Sequence, residues 1–216
     1  MQLEDYLERD DRIVLPLGST EQHAYLSLET DNFLAERVAA EAAEPLGVPV
    51  LPVLAYGVTP RFAAYPGSPS ISQETYVQLV TELVGSLQGQ GFRRVLVVNG
   101  HGGNSFAAER VAGEGARWHD WWRSPRIRAL VDEIDPEGSH ASWMENFPWT
   151  RLAEVAFPEG HKAALDLVDV TDPAEFRRQA GDGSFGGFYE RPDEDMLRIW
   201  AAGMDEVRAL LESGWT

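Results

Sequence analysis

The chain alternates short apolar runs with longer segments in which apolar residues recur every three or four positions. The short runs lie at residues 12–17 (RIVLPL), 48–55 (VPVLPVLA), 94–98 (RVLVV) and 127–131 (IRALV). Short apolar runs bounded by turn residues are typical of buried strands. The pattern therefore predicts four strands, and Pro49 and Pro52 favour an edge position or an irregular course for the second.

Helical periodicity occurs in four segments, at residues 31–43, 72–89, 105–118 and 193–212. In the clearest of these, Ser72 is predicted to cap the first turn, and Gly89 and Gly91 are predicted to end the helix. Strands that alternate with helices predict an α/β layered fold with a mainly parallel sheet.

The length of 216 residues fits a single domain covering residues 1–216. The stretch from about 136 to 189 is rich in Trp, Phe, Pro and Gly and has no clear periodicity. A loop of this length is uncommon in a compact domain unless it has a function. We therefore expect an irregular region that shapes a pocket.

Acidic residues outnumber basic ones by 35 to 18, which gives a formal net charge of −17. Such a surface does not attract nucleic acid or anionic membranes, so we expect neither as a partner. The N-terminal MQLEDYLERDDR lacks the basic and then apolar pattern of a signal peptide. No stretch reaches the roughly 18 apolar residues of a membrane span. These features favour a cytoplasmic protein.

Polar motifs follow two of the predicted strands. Glu21 and His23 follow the first strand in GSTEQH, His101 follows the third in NGHGGN, and Asp31 begins the helix after the first motif. In open α/β sheets, ligands bind beyond the carboxyl ends of the strands. The chain has no cysteine, so a metal site must use His, Asp and Glu. The combination favours a Zn²⁺ or Mn²⁺ site.

Each motif by itself has a simpler interpretation. Asp31 could cap its helix, a Glu-x-His pair occurs by chance in many chains, and Asn99-Gly100 is a plain turn signal. The arrangement, in which each motif directly follows a predicted buried strand, favours metal binding over these alternatives.

A third segment, HASWMENFPW at residues 140–149, places His140 and Glu145 among aromatic side chains. Burial in an apolar pocket moves pKa values towards neutrality, as acid–base catalysis requires. A hydrophobic plug with a surface His and Glu is an equal alternative. His119 and His161 lie among polar residues, and we expect both to face solvent.

Three motifs resemble those of the creatininase (creatinine amidohydrolase) family: LPLGSTEQH with the TD that follows it, VLVVNGHGGN, and HASWMEN. YPGSPSIS and GSFGGFYERP are weaker matches, so the similarity covers nearly the whole chain. The resemblance implies a three-layer α/β sandwich, in which helices flank a mainly parallel sheet. It also implies hydrolysis of amide, often cyclic amide, C–N bonds with one or two divalent metals, zinc or manganese in most members and iron in some.

Carried over by position, the resemblance makes Glu21, His23, Asp31 and His101 metal ligands, with Asp31 as the bridge between two ions. It places the family's active-site His and Glu at His140 and Glu145. Family members often form hexamers or other homo-oligomers, so we expect a homo-oligomer. The WHDWW segment at 118–122 is a candidate interface, with ordinary core and rim packing as the equal alternative.

The chain departs from the family pattern in four places. EQHAYLSLETD is one residue shorter than usual and lacks a second His, and Gly103 stands where creatininase has a metal-binding Glu. Asn146 and Phe147 stand where Thr and Ser are usual, and the Glu-His pair before the F-P-G motif is absent. We therefore expect Glu145 to turn in as a further metal ligand.

The predicted function is metal-dependent hydrolysis of an amide C–N bond in a small-molecule substrate. The predicted substrate-binding residues are Gly102, Gly103, Trp143, Trp149 and Tyr25. The alternatives are a formamide or short-peptide substrate of the same family, or a non-catalytic protein that binds its ligand through metal.

Overall fold

The computed structural model describes residues 2–113, 115–213 and 215. Its helices and strands in chain order are α1 (Gln2–Leu7), β1 (Arg12–Leu17), α2 (Thr30–Ala43), α3 (Gln73–Gly89), β2 (Arg94–Asn99), α4 (Ala108–Val111), β3 (Ala116–Asp120), α5 (Pro125–Ile134), β4 (His161–Lys162), α6 (Pro173–Ala180), β5 (Gly187–Phe188) and α7 (Asp193–Ser213). Short 3₁₀ segments lie at Glu44–Leu46, Pro60–Ala64, Gly102–Ala107 and Trp143–Glu145. Among the described residues, no helix combines the length and hydropathy needed to cross a membrane.

Strands β1, β2 and β3 form a parallel sheet in that spatial order. The strand predicted at 48–55 runs parallel to β1, but it forms only isolated bridges, from Val50 to Val14 and from Leu54 to Leu17. Pro49 and Pro52 have no N–H to donate, which interrupts regular pairing. The irregular course predicted for this segment is confirmed.

Successive residues of β1 and β2 point to opposite faces of the sheet, and both faces are buried. Ile13, Leu15 and Val97 pack with α3 on one face. Val14 and Leu96 pack with α2, α5 and α7 on the other. The molecule is therefore built of helices, sheet and helices in three layers, which confirms the predicted α/β class. The capping of α3 by Ser72 is also confirmed, since its Oγ accepts the Thr75 N–H.

The helix predicted over residues 105–118 is wrong. The chain instead forms a 3₁₀ segment and the short α4, which ends at Val111, and β3 begins at Ala116. Gly115 has a φ of 76°, and a Cβ there would lie 2.1 Å from the Arg93 carbonyl oxygen. Only glycine suits this tight turn, so the apolar periodicity on either side of it belongs to two separate elements.

The strand predicted over residues 127–131 is also wrong, because these residues lie in α5. Ser124 caps this helix, with its Oγ accepting the Ile127 N–H at 3.0 Å, and Pro125 occupies the first turn. Ile127 and Val131 are buried four residues apart, as on one face of a helix. A short apolar run fits either element, and here the cap and the proline decide.

Residues 136–189 contain only short elements, and Asp135 holds their two ends together. Its carboxylate accepts hydrogen bonds from the indole of Trp143 and from the backbone N–H of Phe188. His161 Nε2 lies 3.1 Å from the same carboxylate, and His161 is exposed at the surface as predicted. His119 does not face solvent as predicted: its side chain is 16% exposed, and burial lowers its pKa.

We expect Gly100→Ala to destabilise the fold by about 1–3 kcal/mol. A Cβ at this position would lie 2.6 Å from the Asp31 carbonyl oxygen and 3.0 Å from Ala35 Cβ, which forces α2 away from the end of β2. Gly85 in α3 is the matched control, because nothing lies within 4 Å of its Cβ position. Alanine there should stabilise the protein by about 0.5–1 kcal/mol. Urea unfolding of both variants measures the difference, and equal stabilities would show that α2 shifts freely.

Candidate metal centre

The predicted metal ligands meet where β1 and β2 end. The two strands are parallel and Leu17 is level with Asn99, so the chain leaves both strands at the same edge of the sheet. Four side chains converge there with exposures of 0–6%: Glu21 and His23 after β1, His101 after β2, and Asp31 in the first turn of α2.

Asp31 does not cap α2. The N-cap position is Glu29, and no side chain makes a capping hydrogen bond there. The carboxylate of Asp31 points to two imidazoles instead, with Oδ1 3.1 Å from His23 Nε2 and Oδ2 2.9 Å from His101 Nδ1. Asp31 therefore lies between the histidines that follow two different strands.

Further contacts bring the remaining candidates into the same cluster. Glu21 Oε1 lies 3.1 Å from His101 Nδ1 and 3.7 Å from His140 Nδ1. Glu145 Oε2 lies 3.8 Å from His23 Nε2. The potential ligand atoms form three sets, and the atoms within a set all lie within 4.8 Å of one another. The sets are Glu21, Asp31 and His101; His23, Asp31 and Glu145; and Glu21, His23 and His140.

Each of the three histidines has one ring nitrogen held by a backbone carbonyl. The pairs are His101 Nε2 with Val58 O at 3.1 Å, His23 Nδ1 with Glu21 O at 3.0 Å, and His140 Nε2 with Gln22 O at 3.0 Å. A nitrogen that donates to a carbonyl carries the proton. In the neutral tautomer, the opposite nitrogen of each ring therefore presents a lone pair to the cluster, as in metal-binding histidines.

The arrangement requires a cation, because these lone pairs face carboxylate oxygens. Asp31 Oδ2 is buried and accepts no hydrogen bond, although His101 Nδ1 is only 2.9 Å away. A proton on the imidazole or a metal ion between the groups can supply the positive charge. Imidazole nitrogens and carboxylate oxygens together suit Zn²⁺ and Mn²⁺, so these residues fit a divalent metal.

In the metal-free protein, the histidines carry the compensating charge. Burial by itself would lower the pKa of His23, but the Asp31 and Glu145 carboxylates raise it to about 10. Burial likewise acts against the charged form of His101, and the Glu21 and Asp31 carboxylates outweigh it and raise the pKa. In return, these imidazoles lower the pKa of Glu21 and of Asp31 despite the burial of both carboxyls.

His140 and Glu145 shift in the opposite directions. Burial, and then the positive charge of His23, lower the pKa of His140 to about 4. Burial raises the pKa of Glu145 to about 7, so this carboxyl exchanges a proton near neutral pH. Both side chains are mostly buried, at 14% and 17% exposure, which does not fit a plug with a surface His and Glu.

The backbone between His140 and Glu145 has an unusual conformation. Ala141 has a φ of 57°, a region that residues other than glycine rarely adopt. Its N–H donates to Glu145 Oε2 at 2.6 Å, which fixes the carboxylate against the turn. Such strained positions are found where the surrounding structure holds functional side chains in place.

A cavity of about 680 Å³ opens over the cluster, and Gly102 and Gly103 form part of its lining. The predicted metal-site side chains in the lining are Glu21, Asp31, His101, His140 and Glu145. A Cβ at Gly103 would lie 2.1 Å from Val58 O and 2.4 Å from His101 Nε2. Glycine at this position therefore preserves the hydrogen bond that orients His101.

The other predicted substrate-binding residues do not lie at this cavity. Trp143 is fully buried in the core. Trp149 packs against Trp200 and lines a separate groove, where the Arg37 guanidinium stacks 3.8 Å above its ring. Tyr25 packs edge-on against a neighbouring tyrosine with ring centroids 5.6 Å apart. Sequence proximity to the ligands did not determine where these rings lie, because each one packs against other side chains outside the cavity.

The aromatic walls of the cavity come from other parts of the chain, which include Phe62, Trp122 and Phe185. Of the WHDWW segment, Trp121 is buried in the core while Trp122 lines the cavity. Phe185 belongs to the weaker motif GSFGGFYERP, but neither Phe185 nor Phe62 was predicted at the site, because neither is adjacent to a ligand in sequence.

Three polar residues that position the ligands were also missed. Thr59 donates a hydrogen bond to Glu21 Oε2. Asn99 donates to the His101 carbonyl at 2.7 Å, and Asn104 donates to the Gly18 carbonyl at 3.0 Å and accepts the Val58 N–H. Both asparagines belong to NGHGGN, so the motif itself contained the signal, although only His101 and the glycines of this motif were predicted at the site.

We expect Asp31→Asn to weaken Zn²⁺ binding by more than about 100-fold, since the loss of groups that only orient a ligand already costs roughly 10–100-fold. Glu36→Gln is the matched control, because it removes one charge from an exposed position of the same helix. Competition with a chromogenic chelator measures both affinities. Equal affinities in the two variants would place the ion elsewhere.

The metal-free protein should lose stability as the pH rises. The pKa of His23 is raised from 6.5 to about 10, so its charge stabilises the fold fully below pH 6.5 and stops doing so above pH 10. We expect the Tm of chelator-treated protein to fall across this window, with a smaller fall in His23→Gln. Parallel pH curves for the two proteins would contradict the assigned ion pair.

Sequence comparison identifies relatives of known activity. The family model described as creatininase (creatinine amidohydrolase) matches residues 1–207. Creatinine amidohydrolase from Pseudomonas putida is 31% identical over 191 residues, which cover 76% of this chain and 70% of that protein. Mycofactocin precursor peptide peptidase from Mycolicibacterium smegmatis is 35% identical over 141 residues, which cover 59% of this chain and 53% of that protein. This chain therefore spans about half the length of the peptidase.

Solved structures agree with this comparison at the level of the fold. A crystal structure of creatinine amidohydrolase matches with a TM-score of 0.78 at 21% identity, covering 100% of this chain and 96% of the other. Two more creatininase structures, described as a Zn-Zn type and as an Mn form, have TM-scores of 0.77 and 0.73. Together with the family model and the Pseudomonas putida relative, these matches show that the chain belongs to the creatininase family.

Proposed function

We propose that this protein is a metal-dependent amidohydrolase that cleaves an amide C–N bond in a small molecule. The observation that carries the proposal is the set of three imidazoles, each bonded to a backbone carbonyl on one side and facing carboxylate oxygens on the other. This set opens onto a cavity large enough for a small substrate. Membership of the creatininase family supports hydrolysis as the general class of reaction.

Zinc or manganese is the proposed metal, as one or two ions, with iron as the alternative. The two oxygens of Asp31 face different histidines, which suits a carboxylate shared between two ions. Glu21 and His101 would complete one position, and His23 and Glu145 the other. The related Zn-Zn and Mn structures support this choice of metal. When bound, the metal would supply Lewis-acid activation of water and of the amide carbonyl.

His140 and Glu145 are the proposed catalytic residues. Burial raises the pKa of Glu145 to about 7 in the metal-free protein. As an acid–base group that is not itself a metal ligand, Glu145 would take a proton from the attacking water and give it to the leaving nitrogen. His140 is held through Nε2, which leaves Nδ1 to accept a hydrogen bond and orient that water. Gly102 and Gly103 border the cavity, and their backbone N–H groups are candidate donors to the developing oxyanion.

A short peptide is the second candidate substrate. The relative from Mycolicibacterium smegmatis is named for peptide cleavage and the one from Pseudomonas putida for creatinine cleavage, so the family includes both kinds of amide. The cavity would accommodate either. A non-catalytic binding role has less support, because an acid–base pair lines the same cavity as the ligands.

The proposal includes a cytoplasmic homo-oligomer. The net charge of −17 favours solubility. Phe33 and Tyr56 are large hydrophobic side chains exposed at 39% and 55%, so both are available to a partner subunit.

We expect Glu145→Gln to lower kcat for amide hydrolysis by roughly 10²–10⁴-fold, the usual contribution of a general acid–base group. Glu190→Gln, at an exposed position outside the cavity, should retain full activity. Zinc- or manganese-loaded protein would be assayed with creatinine, a formylated aminopyrimidine and short peptides. Metal content of the Glu145→Gln protein separates the roles: retained metal identifies an acid–base group, and lost metal identifies a ligand. No hydrolysis of any substrate by loaded wild-type protein would refute the activity.

A further inference from the structure

We infer that Arg61 binds an anionic group of the substrate, so that the preferred substrate is an amide that carries a carboxylate. This inference rests on the amidohydrolase function proposed above and specifies its substrate class. It follows from the charges that line the cavity, from the partners of each arginine and from the position of Arg61 beside the metal site.

Charge is distributed unevenly around the cavity. Among the described residues that line it, the acidic ones are Glu21, Asp31 and Glu145, and all three belong to the metal cluster. The rest of the lining contains three arginines and no carboxylate. The whole chain has about twice as many acidic as basic residues, 35 against 18. A positive lining in so acidic a protein favours anionic ligands at this position.

The three arginines differ in their partners. Arg128 forms an ion pair with Asp132 and donates to the Pro136 carbonyl, and Arg123 lies 3.4 Å from an Asp120 oxygen. Arg61 has no carboxylate within 4.0 Å among the described residues, and its contacts are with neutral backbone. Its positive charge is therefore the one that a substrate carboxylate would neutralise.

The Arg61 guanidinium is held in place before any ligand arrives. Nη1 donates to the Leu167 carbonyl at 3.1 Å and Nη2 to the Val168 carbonyl at 2.9 Å. A guanidinium has five N–H donors, so three remain for a ligand. Because the side chain is already ordered, a carboxylate that binds to it loses less conformational entropy than it would on a mobile arginine.

The neighbours of Arg61 in sequence contact residues of the metal cluster. Val58 accepts the hydrogen bond of His101, and Thr59 donates to Glu21. On the other side, the Phe62 ring packs against the His140 ring with centroids 5.0 Å apart. A turn tied to the metal site at both ends thus carries Arg61. A carboxylate bound there would position the rest of the substrate over the metal cluster.

The test compares amides that differ only in the charge of one group. The peptide pair is Ala-Phe-Gly with a free carboxylate and with a C-terminal carboxamide, followed at the same internal bond. The small-molecule pair is hippurate and hippuramide. With zinc-loaded wild-type protein, we expect kcat/KM for the acid to exceed that for the carboxamide by roughly 10- to 100-fold, mainly through KM, as for a charge-assisted hydrogen bond. The pair with the larger ratio shows whether peptides or small molecules are the source of the carboxylate.

Variants then assign the preference to one side chain. Arg61→Gln should bring the ratio of acid to carboxamide close to one, and Arg61→Lys should retain part of it. Arg126→Gln is the control, because this arginine is 55% exposed, pairs with Asp205 and does not line the cavity. Thermal unfolding checks that each variant is folded. A loss of activity that slows the hydrolysis of both substrates equally leaves the ratio of acid to carboxamide unchanged.

Equal rates for acid and carboxamide in the wild-type protein would overturn the inference. A ratio of acid to carboxamide that is unchanged in Arg61→Gln would also overturn it. This holds even if Arg123→Gln abolishes that ratio. If neither pair is hydrolysed, the proposed activity fails for these amides. Calorimetric titration of the zinc-loaded protein with hippurate and hippuramide then measures the anion preference separately, by the same comparison of Arg61→Gln with Arg126→Gln.

Discussion

The compensation of buried negative charge is the constraint on which the rest of this structure depends. Glu21 and Asp31 are almost completely buried, and Glu145 is largely so. Unpaired carboxylates in such surroundings would cost several kcal/mol each. The structure meets this cost with imidazoles whose orientation is fixed by backbone carbonyls, so that their free nitrogens face the carboxylate oxygens. The same geometry that makes the acidic cluster tolerable makes it able to bind a cation.

The sheet brings these groups together. Residues of β1 and β2 alternate between two buried faces, so the register of the strands is strongly determined. Their parallel pairing places Leu17 level with Asn99 and brings two distant loops to one edge. Asn104 then ties the second loop to the first through the Gly18 carbonyl, and Asn99 holds the second loop through the His101 carbonyl. Metal-site geometry is thus a consequence of packing in the core, and the strain at Ala141 is tolerated because neighbouring contacts hold it.

The cavity combines two opposite electrostatic environments. Its floor contains three carboxylates that favour a divalent metal, and the remaining described lining carries arginines. A substrate that carries a carboxylate next to a neutral amide would match both regions. The irregular residues 136–189 contribute to each of them: His140 and Glu145 lie at the floor, and the Leu167 and Val168 carbonyls hold Arg61.

The sequence by itself determined the elements with strong periodicity and the identity of the candidate ligands. The helices from 72 and from 193 have a long periodicity that only a helix satisfies, and the short apolar runs at 12–17 and 94–98 form strands as predicted. The polar motifs after those strands contain the side chains that the structure brings together, because parallel strands end at a common edge. The short apolar run at 127–131 and the periodic stretch across Gly115 were ambiguous, since capping and a positive φ decide them.

Only the tertiary structure decided which residues surround the ligands. Trp143 and Trp149 are close to Glu145 in sequence but turn into the core and into a separate groove, whereas Arg61 and Phe185 are distant in sequence and line the cavity. The physical reason is that periodicity in the sequence indicates which face of an element is buried, but it does not indicate which residues pack against that face. Contacts between remote segments, such as Arg61 with residues 167 and 168, leave no local pattern in the sequence.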